Sequence, residues 1–142
     1  MSITQAMATS FKQEIMVGTH NLTASTGNTI KCALYTSSAS LGASTTAYSS
    51  SNEASGTNYS AGGNTLTSVT PTTSGTTALG DFADTSWTTA TLTARGALIY
   101  NSSQSNKAIA VLDFGGDFSV VAGTFTITFP AADASNAIIR IA

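Results

Sequence analysis

From residue 29 onward, apolar side chains recur at every second position in short runs, and turn-forming residues interrupt those runs at close intervals. "TIKCALYT" (29–36) sets Ile30, Cys32 and Leu34 against Lys31, Ala33 and Tyr35. Such alternation marks a strand with one apolar face, because successive side chains of extended backbone point to opposite sides. "NTLTSVT" (64–70), with Pro71 at an edge or an end, and "GTTALGDF" (75–82) read as one hairpin. "TLTARGALIY" (91–100) and "KAIAVLDF" (107–114) are the strongest strands and are joined by the polar turn "NSSQSN". "FSVVAGTFTITF" (118–129) predicts a short strand, a break at Gly123, and a second strand with Phe125, Ile127 and Phe129 on one face. "AIIRIA" (137–142) closes the set. About eight short strands at regular spacing predict an all-β fold, an antiparallel β-sandwich of jelly-roll type.

One segment ahead of the strands has helical spacing. In "TSFKQEIMV" (9–17), Phe11, Ile15 and Met16 lie on one side, Ser10 and Gln13 have the spacing of a capping box, and Gly18 ends the run. A helix this short needs a surface to lie on, either its own domain or a neighbouring subunit. The expected organisation is therefore an N-terminal arm over 1–19 with a short helix, followed by a single β-sandwich domain over 20–142. The Ser/Thr/Ala/Gly-rich stretch 37–63 is long for a loop in a compact domain. Its Leu41, Tyr48 and Tyr59 suggest that it packs down, with a weak strand near 45–49.

Charge is scarce. Charged residues are 8% of the chain and net charge is −2, while Ser and Thr make 45 of 142 residues. Disorder goes with low hydrophobicity and high net charge; here 42% of residues are hydrophobic, so a folded chain is expected. Five singly spread basic residues give no footprint for nucleic acid. No apolar run is long enough to span a membrane. The start, "MSITQAMATSFKQEIM", has neither the basic nor the apolar region of a secretory signal. A single cysteine, Cys32, excludes an intrachain disulfide framework. Low charge also suits a protein that works within an assembly, where self-repulsion hinders close association.

Residues able to carry chemistry are few. The one histidine, His20, lies between the helix and the first strand, where a surface or interface role is the simpler reading. A triad of His20, Asp113 and a serine can be assembled only on paper, since no G-x-S-x-G elbow fixes a nucleophile. Cys32 alternates with Ile30 and Leu34, which favours core packing over reactivity. Asp81 with Asp84, and Asp113 with Asp117, lack the spacing of a calcium loop and read as turn formers. Trp87, Tyr48 and Tyr59 lack the basic groove that accompanies base stacking. No catalytic residue, metal site or cofactor is expected.

Two isolated charges stand out. Arg95 interrupts the strand "TLTARGALIY", and Glu53 is the only charge between Lys31 and Asp81. A buried guanidinium is costly unless paired. Either Arg95 pairs with Glu53, pinning the long loop to the sheet within the subunit or across an interface, or it is a solvated arginine on an exposed face. Phe11, Ile15 and Met16 are the candidate contact with a neighbouring subunit or a larger assembly, unless the helix packs on its own domain.

"SFKQEIMVGTHNL", "TIKCALYT", "SSNEASGTNYSAGGNTLTSVT", "TSWTTATLTARGALIYN", "KAIAVLDFGGDF" and "FTITFPAADASNAIIRIA" resemble a group of small tailed-bacteriophage virion proteins. The resemblance covers about residues 10–142. Its most specific parts are "ARGALIYN" with "AVLDFG" and the closing "FPAADASNAIIRI", which are strand motifs and supply no site. It implies a non-enzymatic virion protein, a capsid decoration (cement) protein on the capsid surface, made in the host cytoplasm. The implied partners are its own copies, as a homodimer or homotrimer, and the major capsid protein, without nucleic acid or membrane. The alternative is a tail, fibre or baseplate adaptor or receptor-binding module, with loop 37–63 and Trp87 as candidate carbohydrate contacts. A small hydrolase would require His20 beside an acid and a hydroxyl.

Overall fold

The computed structural model describes residues 2–142. Its elements, in chain order, are β1 (Ala6–Met7), α1 (Thr9–Met16), β2 (Ile30–Tyr35), β3 (Asn64–Thr65), β4 (Ser68–Ser74), β5 (Thr77–Phe82), β6 (Thr85–Asn101), β7 (Lys107–Ile127) and β8 (Ile139–Ile141). They form a five-stranded sheet of order β1-β7-β6-β2-β3 and a three-stranded sheet of order β4-β5-β8. Every strand pairing within them is antiparallel. Phe82 and Ile139 of the smaller sheet join the larger sheet's side chains in one core. The all-β sandwich with one short helix is thus the fold. The strand order is not that of a jelly roll, whose two Greek keys interleave the strands of both sheets. Here the neighbours β4–β5 and β6–β7 pair directly as hairpins, because short turns make the local pairing the least costly one in chain entropy.

The β6–β7 hairpin is the spine of the molecule. Its halves are longer than alternation alone suggests, because breaks in the pattern are bulges within continuous strands. Ala94 pairs with Phe118 and Gly96 with Asp113, so Arg95 alone stands opposite Phe114–Asp117. Gly115, at φ 82°, supplies the left-handed turn there. The expected break at Gly123 is likewise a bulge: Gly123 still pairs with Ala90. Beside the hairpin's closed end lies β2, where Ile30 and Cys32–Tyr35 are buried. Pro71 sits in β4, an edge strand, at a register shift between Val69 and Thr72. A proline can occupy such a position because no ladder bond is asked of it.

The segment ahead of β2 contributes to the same core. Ile3, Ala8 and Phe11 are buried within it, and β1 pairs with β7 through Ala6–Val111 and Met7–Ala110. The helix starts after Ala8 with no side-chain cap, so the Ser10–Gln13 capping box is not what begins it. Tertiary backbone contacts meet that need: the Ala8 amide donates to Ile109 O at 2.9 Å and the Thr9 amide to Ala43 O at 2.8 Å. Gly18, at φ 77°, follows the last turn.

The 37–63 stretch packs down with little regular structure of its own. Isolated bridges tie Leu41 to Ile3, Ala47 to Lys107, Glu53 to Tyr35, and Thr57 to Thr91. The expected strand near 45–49 is reduced to the one bridge at Ala47.

Candidate functional site

Arg95 and Glu53 do not pair. Arg95 Nε donates to Asp113 Oδ1 at 3.1 Å, across the β6–β7 ladder at the base of the Phe114–Asp117 bulge. Both side chains are about one-third exposed, so the arginine never faced the desolvation that made a buried partner necessary. Asp113 Oδ1 also accepts the Gly115 amide at 2.9 Å. That bond, together with the Arg95 guanidinium, holds the Asp113 carboxyl below its ordinary range. The pair fixes the shape of the bulge.

Glu53 is satisfied by other means. Tyr48 Oη donates to Oε1 at 2.6 Å, while Tyr59 Oη at 2.6 Å and the Gly62 amide at 2.8 Å donate to Oε2. The chain's other two tyrosines anchor the same loop. Tyr35 Oη donates to Ser49 O at 2.6 Å and Tyr100 Oη to Gly62 O at 2.7 Å. Tyr59 Oη also accepts the Leu34 amide at 2.8 Å, and the Tyr48 and Tyr100 rings stack with centroids 4.8 Å apart. Burial raises all four hydroxyls above their ordinary value, Tyr100 to about 12, and hydrogen bonding to Glu53 adds to the rise at Tyr48 and Tyr59. One carboxylate and four phenols pin loop 37–63, the task the sequence assigned to an ion pair.

His20 has no exposed side-chain surface. Its Nε2 donates to Glu14 Oε1 at 2.8 Å, and Asn101 Nδ2 donates to its Nδ1 at 3.0 Å. Accepting from the Asn101 amide places the ring proton on Nε2. Both ring nitrogens are therefore engaged, and the acid beside His20 is Glu14 rather than Asp113. Cys32 is fully buried and burial raises its thiol to about 12, far from a reactive thiolate. Among the described residues no three His, Cys, Asp or Glu side chains are grouped to hold a metal ion. No helix among them is long and apolar enough to cross a membrane.

Among the described residues, exposed large apolar side chains gather at two places, with Val69 of β4 exposed besides. The first adjoins α1. Phe11, a candidate contact, is a core residue instead: it is buried, with its ring centroid 4.9 Å from that of His20. Helical spacing turns it inward while Ile15 and Met16 fall nearer the rim. Ile15, half-buried, helps to line a small apolar cleft with Leu22, Ala78, Leu79, Ile139 and Ile141. Met16 and Val17 beside it are 79% and 67% exposed, and Ile141 is 48% exposed.

The second place went unnoticed in the sequence. The distal half of β7 carries a groove of about 400 Å³, lined by Phe114, Phe118, Val120, Phe125 and Ile127 among others. Phe118 is 53% exposed and Val121 82%. The signal was present in "FSVVAG", an apolar run with neither charge nor proline to protect it. Trp87, by contrast, is buried against Tyr59 and Phe125 and offers no ring face to a sugar.

No family model, curated protein or solved structure matches this chain.

Proposed function

We propose that this chain is a non-enzymatic structural protein of a tailed-phage virion, a decoration protein that binds the outside of the capsid lattice as a homo-oligomer and stabilises the shell. The observation that carries the reading is the pair of separate exposed apolar surfaces on a chain that otherwise keeps its surface polar and almost uncharged. A monomer with no partner gains nothing from Met16, Val17, Phe118 and Val121 in water. A subunit that bridges its own copies and a shell needs two such surfaces. The sequence resemblance to small virion proteins points to the same role. Chemistry that locks the loop and the histidine into internal hydrogen bonds favours a rigid part over a reactive one. Repeated weak contacts over a lattice would supply the binding by avidity.

The test is co-sedimentation of the purified chain with heads of the phage that encodes it, prepared without the chain. Saturable binding to intact heads, at a fixed ratio to the major capsid protein, is the expected result. Binding to isolated tails and not to heads would instead select the adaptor or receptor-binding role.

A further inference from the structure

We infer that the outer edge of β7, from Phe118 to Ile127, pairs with the same edge of a second copy of this chain, joining two five-stranded sheets across a two-fold axis. This deepens the functional reading above and rests on the part of it that has the chain assemble with its own copies. On its inner side β7 is laddered to β6. On its outer side the partners end at Asp113: Lys107 bridges Ala47, the Ala108 amide donates to Thr46 O, Ile109 O accepts the Ala8 amide, Ala110 and Val111 pair with β1, and the Asp113 amide donates to Gln5 Oε1. Beyond them, among the described residues, no strand runs along that edge.

An open edge is a template for strand addition, and proteins that must stay monomeric blunt it with charge, proline or bulges. Between Asp117 and Pro130 there is neither charge nor proline. The one device present is the bulge at Ala122, whose φ is 46°, and it leaves usable edge on both sides.

The exposed side chains select the docking mode. Val120 and Phe118 stand opposite buried Leu92 and Ala94, and so lie on the coreward face of the ribbon. Val121, by alternation, lies on the other face. A partner laid flat on either face would cover only one group. Antiparallel strand addition at the edge covers both, setting Phe118 and Val120 of each copy opposite Ile127 and Phe125 of the other on the coreward face and leaving Val121 beside the seam on the other face.

Charge selects the occupant. Residues 118–132 of this ribbon and residues 85–94 of the neighbouring strand contain no ionisable acid or base of the Asp, Glu, Lys, Arg or His kinds. The surface is electrically matched to itself, so two copies meet without like-charge cost. A nucleic acid, or an acidic or basic peptide, finds nothing here to pair with. An isologous two-fold contact needs only such a self-compatible patch.

The experiment is sedimentation equilibrium of the full chain over a concentration series, with amide hydrogen exchange at both ends of the series. The expected result is a monomer–dimer equilibrium in which amides of 119–127 exchange more slowly as dimer forms. Val121→Lys should raise the Kd by about tenfold or more, since the contact would bury an unpaired ammonium. Met16→Lys, equally exposed but on the other surface, should leave it unchanged. A chain that stays monomeric, a trimer, or a dimer indifferent to Val121→Lys each overturns the proposal. A monomeric chain that still saturates phage heads would overturn edge pairing while leaving the decoration role standing.

Discussion

Tyr59 donates its hydroxyl to Glu53 Oε2 at 2.6 Å, six residues back along a loop with almost no secondary structure of its own. Tyr48 does the same for Oε1. The carboxylate thus sits between two halves of the loop, and the Gly62 amide closes the set. Replacing Glu53 with Gln turns one acceptor oxygen into a donor and weakens three charge-assisted bonds. We expect Glu53→Gln to cost about 1–3 kcal/mol in urea unfolding, with earlier proteolysis within 37–63. An unchanged midpoint would mean that apolar packing alone holds the loop.

The tyrosine cluster predicts how the protein meets alkali. Each folded-state hydroxyl lies above the ordinary value of about 10, because burial disfavours the phenolate. The unfolded chain therefore gives up these protons first. Their contribution to stability is full below about pH 10 and is lost as pH rises toward the folded-state values. Tyrosinate absorbance should appear together with loss of the circular dichroism of the fold. Four phenols titrating near the ordinary value in an intact fold would contradict the burial.

Cys32 should be silent. Its thiol is enclosed and raised to about 12 by burial alone. A thiol reagent at about pH 8, where a free cysteine reacts readily, should label it only as fast as the chain unfolds. Rapid labelling of the native protein would show that β2 opens locally.

Gly63 marks the closest backbone approach in the loop. It adopts φ 76°, and a Cβ there would overlap the carbonyl oxygen of Cys32 on the adjoining strand. Gly63→Ala should destabilise by about 3 kcal/mol or more, combining left-handed strain with a backbone clash that no side-chain movement relieves. Gly116→Ala, where an added methyl meets nothing within 4 Å, should stay within about 0.5 kcal/mol of the parent. Thermal melts of the two variants give the comparison.

Much of the architecture was legible because alternation is a local signal. It located the strand at Ile30–Tyr35, the pairing of the Pro71 strand with its successor and the strand containing Arg95, although Ala33 and Tyr35, set on the polar side of the first strand, are buried as well. It failed where the pattern skips. A bulge breaks the period without ending the strand, so Gly123 and the Asp113–Phe118 segment looked like interruptions. The charges failed for a related reason. Isolation in sequence suggested Glu53 for Arg95, whereas partner choice follows the hairpin register, in which Gly96 faces Asp113. The capping box of Ser10 and Gln13 gave way to tertiary bonds from the Ala8 and Thr9 amides to the Ile109 and Ala43 carbonyls, which local sequence does not encode. The exposed Phe118 and Val121 were missed because a strand reads alike whether its outer neighbour is present or absent.

The central claim, a structural component repeated over a capsid, is tested most directly by the copy number of this chain in purified virions, measured by quantitative mass spectrometry against the major capsid protein. The account predicts a ratio near one, or a simple fraction of it such as one half. A few to a few dozen copies per particle would contradict it and move the chain to the tail or fibres.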